Sequence, residues 1–414
     1  MLGRPGMLLG LQTGASLFYL PKKNMRKIVL ALLTTLLFTE NLCSQPFKSY
    51  TAPGNGINIR FYKNIEFLGF IFFLGSQYMG ELYENDETLT NNGFKKKDWY
   101  AWDLALYKEY KSFKGNKNLA TGVRFAEAMQ GSYLASFLIS LHEFPNASIP
   151  IEMSPLLYLA FSEKYDTLEA RRNANQFVEA LNQFYRETNF DSYFKSKDHV
   201  YGQALLEIKG KLPGNKFLPA MEKFYRQHFE HYSLIPSLTI PSGMAFGVSS
   251  ERNGKAEIIN LFGPFSLQQF DPGVPLNMGF ADEKHIRELS THEFGHSFAN
   301  PVVDKIPAKL INETASLYDT IKTAMEDQGY NTWKACLSEH FVRAGEVIIA
   351  ASLGNKNDAE KLKADYITGR KFIYLPLIIT ELERYSQNPK VSYQQTAIRI
   401  LENLKLYTLR KKPK

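Results

Sequence analysis

Cysteine is nearly missing from this chain of 414 residues, which has only Cys43 and Cys336. Neither a disulfide framework nor a cysteine-built zinc cluster can be assembled from two. An unbroken apolar run of about 20 residues, the length a membrane-crossing helix requires, is also missing. So are a P-loop, a Gly-rich dinucleotide fingerprint and a GxSxG elbow. Nor does one sign of charge dominate: 49 basic and 42 acidic residues give +7. Residues 1–44 hold Arg4, Lys22, Lys23, Arg26 and Lys27 against Glu40 alone, which leaves +3 for the remainder. An excess that small does not point to nucleic acid as a partner. What is present is ordinary globular material, 44% hydrophobic and 22% charged, so collagen-like, low-complexity and wholly disordered chains are excluded.

From Met25 a basic start (Met-Arg-Lys) leads into eleven mostly apolar residues, Ile28–Phe38, and then small and polar residues to Gln45. This is the layout of a secretory signal over about residues 25–44, too short to span a bilayer. It predicts an exported protein, periplasmic or secreted. Glu40-Asn-Leu before Cys43 lacks the small residue of a lipidation site, which disfavours a lipoprotein.

The rest divides by pattern into a mainly helical region, 45–232, and a second region, 233–414, expected to form one compact unit with it. NIRFYKN alternates with period two, and the apolar FLGFIFFLG after it suits a buried strand or the start of a helix. Between Asp98 and Gln227 apolar residues recur at helical spacing, as in Phe177, Ala180, Leu181, Phe184 and Tyr185. Aromatics make up 14% of the chain, and at these positions they read as core rather than as a stacking platform. Leu234–Ile240, Met244–Ser249 and Ala256–Phe262 then read as strands, with Asn253-Gly254 as a hairpin turn. From Asp282 to Leu406 the pattern is helical again. The predicted fold class is α+β: mainly helical, with a small antiparallel sheet beside the segment described next.

That segment is His292-Glu293-Phe294-Gly295-His296, within DEKHIRELSTHEFGHSFANP. Ile286, Leu289 and Phe298 support a helix through it, and Asn300-Pro301 is expected to end it. Residues i and i+4 share a helix face, so His292 and His296 can both turn an imidazole toward one cation. Glu293, one residue round, faces the open side, where it can act as general base toward water. Zinc suits two imidazoles and a third protein ligand with one position left open. Two histidines on a solvated face are the alternative, but Phe294, Phe298 and Leu289 mark a helix that packs. Gly295, costly inside a helix, suggests a cleft that a side chain would obstruct. A strand edge beside such a helix could hold an extended peptide.

The third ligand is open on sequence. Ala299 and Val302 stand where a metzincin needs glycine and histidine. Glu313, in Ile311-Asn-Glu, lacks an aspartate four residues on and lies between Lys309, Ser316 and Thr320. Glu339 is flanked one turn away by Ala335, Cys336 and Val342, where a carboxylate is costly unless a cation offsets its desolvation. Asp304 is a third choice. Arg343 could bind a substrate carboxylate or an oxyanion, with a surface or structural salt bridge as the equal alternative, and Tyr374 or His340 could donate a second hydrogen bond to the oxyanion. His228 and His231, three apart on a polar helix face, read as solvent-exposed.

HEFGHSFANP together with Tyr330, Trp333 and SEHFVRA resembles a bacterial family of exported, zincin-like proteins, with the gluzincin metallopeptidases as its broader analogue. The resemblance implies His292, His296 and Glu339 as metal ligands and Glu293 as the base, and it supplies no substrate. The expected activity is zinc-dependent hydrolysis of peptide bonds in a peptide or protein. The alternatives are a cell-wall amide hydrolase and a catalytically silent zinc-binding scaffold.

Overall fold

The computed structural model describes residues 46–51, 56–75, 100–127, 129, 131–252 and 255–410. The signal segment with Cys43, and the Asn253-Gly254 turn, lie outside the described residues. The alternating stretch becomes strand β2 (Ile57–Tyr62), antiparallel to β1 (Pro46–Thr51). The apolar run behind it folds as helix α1 (Lys63–Gly75), buried on nearly every side, as a helix apolar all round must be.

Among the described residues seven helices follow: α2 (Ala101–Tyr110), α3 (Lys117–Glu127), α4 (Gly131–Ile139), α5 (Thr167–Glu187), α6 (Phe190–Ser196), α7 (Asp198–Lys209) and α8 (Phe217–Tyr225). The Asp166 side chain caps α5 by accepting from the Glu169 N–H. The regularly spaced aromatics face inward. Phe70 stacks on Phe190 with centroids 4.5 Å apart, and Phe67 meets Tyr185 edge-on at 4.9 Å. These rings bury area and hold offset or edge geometry with one another, which is core packing.

Strands β3 (His231–Pro236), β4 (Ala245–Arg252) and β5 (Lys255–Phe262) join β1 and β2 in one sheet of order β1-β2-β3-β5-β4. The sheet is mixed, which corrects the antiparallel expectation. β4 and β5 form the antiparallel hairpin, closing at Arg252 opposite Lys255, but β3 runs parallel to both β2 and β5. Parallel neighbours need a long crossover, and α1 to α8 supply it between β2 and β3. Period-two patterning marks a strand but says nothing about the direction of its partner.

The helices of seven residues or more that follow are α9 (Glu283–Asp304), α10 (Ala308–Thr314), α11 (Trp333–Ser352), α12 (Lys356–Ala364), α13 (Leu375–Gln387) and α14 (Tyr393–Arg410), with shorter ones at Ser316–Asp319 and Lys322–Glu326. One hydrophobic core extends from Ile57 to Leu404, so the early and late parts of the chain share it. No helix among the described residues is long and apolar enough to cross a membrane. α9 does not end at Asn300-Pro301 as expected but carries Pro301 inside its last turn. Pro301 is exposed and Ser297, whose carbonyl loses its N–H partner, is half-buried. Water can therefore serve that carbonyl while buried Val303 anchors the turn.

Candidate metal centre

Asp282 starts α9 by accepting from the His285 N–H at 2.9 Å. From there a buried face runs through Ile286, Ser290, His292, Glu293 and His296. Phe294 packs edge-on against Tyr232 of β3 and Phe298 stacks on Tyr225 of α8 at 4.5 Å. Asn260 of β5 donates to Ser290 Oγ at 3.3 Å, tying sheet to helix. With the helix fixed on both sides, the i,i+4 spacing of the histidines becomes a geometry: their Nε2 atoms lie 3.3 Å apart.

Helix α11 supplies the third group. Thr332 caps it by accepting from the Ala335 N–H at 3.1 Å. Glu339 Oε1 lies 3.2 Å from His296 Nε2, and Glu339 Oε2 lies 3.8 Å from His292 Nε2. The ligand atoms of His292, His296 and Glu339 all fall within 4.8 Å of one another, a group that could hold a metal ion. Glu339 is fully buried and neither of its oxygens completes a well-directed hydrogen bond, although the nitrogens of His296 and Arg343 are near. Buried carboxylate oxygens left so are costly, and a shared cation would satisfy them. The residues therefore fit a metal.

Close packing of α9 on α11 brings the two halves together. A Cβ on Gly295 would lie 3.2 Å from Val342 Cγ1 and 3.3 Å from the Tyr225 hydroxyl. The glycine thus serves the helix crossing, which corrects the reading that it keeps a cleft open. The sheet presses on the other side. A Cβ on Gly247 of β4, the edge strand, would lie 2.9 Å from the Glu293 carbonyl oxygen and 3.0 Å from its Oε2.

The charges are concentrated. Glu293, Glu339 and Glu346 are buried carboxyl groups, and Arg343 is the buried guanidinium among them. Burial works against ionising Glu339, but His296, His292 and Arg343 outweigh it and hold the carboxyl far below its ordinary range. Burial likewise disfavours charge on His296, yet Glu339 overcomes it and lifts the ring to about 9. Burial raises Glu293, against the pull of the two histidines and of the Gly247 N–H. A raised carboxyl beside two imidazoles is poised to accept and return a proton.

The other candidates lie elsewhere or face inward. Glu313 is exposed, paired with Lys405 at 2.9 Å, and Asp304 pairs with Lys334 at 2.6 Å. Arg343 is not turned to a substrate. It lies behind Glu339, 3.3 Å from Oε2, donates to the Tyr330 hydroxyl at 3.2 Å, and is flanked by the rings of Tyr366 and Phe372. Tyr374 donates its hydroxyl proton to the Leu317 carbonyl at 2.7 Å, and His340 Nδ1 bonds the Cys336 carbonyl at 2.8 Å. Both are buried, and burial pushes His340 down to about 4. His228 is exposed beside Glu222, but α8 has ended at Tyr225, so it is not on the helix face expected.

Sequence reasoning missed the groups behind the histidines. Glu346 Oε1 stands 3.0 Å from His292 Nδ1, and Asn300 Oδ1 stands 3.3 Å from His296 Nδ1. Both had a signal in spacing: Asn300 is four residues after His296, and Glu346 is seven after Glu339 on the same face of α11.

The chain matches the family described as Domain of unknown function (DUF4932) over residues 149–395, a stretch that includes both α9 and α11. No curated protein and no solved structure matches it.

Proposed function

The chain belongs to the DUF4932 family, and we propose that it is a zinc-dependent hydrolase of peptide bonds. The observation that carries this reading is the buried convergence of two imidazole nitrogens and one carboxylate, with a second carboxylate, Glu293, on the adjoining helix position. Two nitrogens and an oxygen from protein, with a fourth position open, are the donor set of a catalytic zinc site.

Zinc held by His292, His296 and Glu339 would lower the pKa of a water and polarise a carbonyl group. Glu293, buried on the adjoining helix position, would serve as the base that accepts a proton from the attacking water and returns it to the leaving nitrogen. Gly247 allows β4 to approach closely enough that its N–H faces the Glu293 carboxylate and its missing side chain leaves Glu293 in place. Export, as the N-terminal residues imply, would place the substrate outside the cytoplasm.

The test is metal content and turnover of Glu293→Gln beside the unaltered protein. Stoichiometric zinc in both, with cleavage of casein-like peptides by the unaltered protein alone, is the expected result. Equal cleavage by both would remove the assigned base. Zinc without cleavage of any peptide would favour a silent scaffold, and release of products from muropeptides alone would favour a cell-wall amidase.

A further inference from the structure

On α11, Glu339, Arg343 and Glu346 fall at i, i+4 and i+7, so they form a row along one face. The first is the carboxylate of the metal-binding group. The last stands behind His292, with its Oε1 3.0 Å from Nδ1, within reach of a proton there although the two are not aligned as a hydrogen bond. Arg343 lies between them, Nη2 3.3 Å from Glu339 and Nη1 4.0 Å from Glu346. The Tyr366 hydroxyl lies near Glu346 as well. All three row members are buried.

We infer that Glu346 is the positioning residue of this site: it accepts the Nδ1 proton of His292, and so fixes the ring as the tautomer whose Nε2 lone pair faces Glu339 and His296. The inference rests on the metal-binding reading above. An imidazole has one proton to place, and an acceptor at Nδ1 decides where it goes. A charged acceptor also makes the opposite nitrogen a better donor to a cation. His296 is treated differently, since a neutral amide, Asn300, faces its Nδ1 at 3.3 Å. Arg343, set between the two carboxylates, offsets the repulsion of Glu339 and Glu346 as like charges on one buried helix face.

Zinc affinity, measured by chelator competition on the full chain, should fall by about 10- to 100-fold in Glu346→Ala. Glu346→Gln keeps an oxygen that can accept the proton and should recover part of the loss. In the metal-free unaltered protein, imidazole 15N shifts should place the His292 proton on Nδ1, a readout that needs no variant to fold. Unchanged affinity in both variants, or a proton on Nε2, would overturn the positioning role while leaving the metal reading intact. An unaltered protein that binds no zinc would overturn both.

Discussion

Gly345 of α11 leaves room for the hydroxyl of Tyr225: a Cβ at 345 would sit 2.4 Å from that oxygen. The same hydroxyl touches the space above Gly295 of α9, so two glycines and one phenol set the distance between the helices that carry the histidines and Glu339. Alanine is ordinarily better than glycine inside a helix by about 1 kcal/mol. Here overpacking, worth about 1–3 kcal/mol, should win. Gly345→Ala is therefore expected to destabilise the protein in chemical denaturation. Tyr225→Phe removes the obstructing oxygen, which is buried without a hydrogen-bond partner among the described residues. The pair should show a coupling of about 1–2 kcal/mol in a double-mutant cycle. Additive effects would mean the crossing is set elsewhere.

Gly247 makes a second close approach, with a different consequence. An alanine there would press on the carbonyl oxygen and carboxylate of Glu293 but on none of the three groups that could hold a metal. Gly247→Ala should therefore keep zinc while turnover falls by about 100-fold, the scale on which misplacing a reacting group is felt. A variant that loses zinc and turnover together would show that β4 supports the ligands rather than the base.

The choice among carboxylates can be settled by metal content. Glu313→Ala and Asp304→Ala remove exposed ion pairs with Lys405 and Lys334, and should leave both zinc and stability nearly unchanged. Glu339→Ala should weaken zinc binding by more than about 100-fold, since partners one step further out already cost about 10- to 100-fold. Full zinc occupancy in Glu339→Ala would remove it as a ligand.

What was legible in the sequence follows from what is local. The histidine pair and Glu293 are a repeat within one helix turn, and Glu339 betrays itself as an acid among apolar neighbours. The alternation of NIRFY and the helical spacing around Phe184 likewise report local periods. The role of Gly295 is hidden because its partner, Tyr225, comes from another element, and sequence leaves Arg343 open between a substrate contact and the structural ion pair it makes. The sheet's mixed pairing is hidden for the same reason, since the partner of β3 on one side, β2, lies far back in the chain, before α1. Glu346 and Asn300 did lie at readable spacings, but only the convergence of the ring nitrogens shows which nitrogen needs a partner.

Glu66 of α1 offers a test of stability against pH that is independent of the metal. Its carboxyl is fully buried, accepts from the Tyr201 hydroxyl at 2.7 Å and from the Leu238 N–H at 3.2 Å, and is raised by burial from 4.5 to about 7. A folded state that holds this proton more tightly than the unfolded chain is favoured at low pH. Glu66 imposes no penalty below pH 4.5, where both states are protonated. Between 4.5 and about 7 the unfolded chain loses the proton first, so stability falls as pH rises. Above about 7 the full penalty stands, on the order of 3 kcal/mol. Asp103, also buried and raised by burial and by Glu66, adds to the slope in the same direction. Glu66→Gln cannot ionise, so its stability relative to the unaltered protein should climb by about 3 kcal/mol between about pH 4 and about pH 8 in urea titrations. A difference that stays constant across that range would mean that Glu66 keeps its ordinary pKa despite its burial.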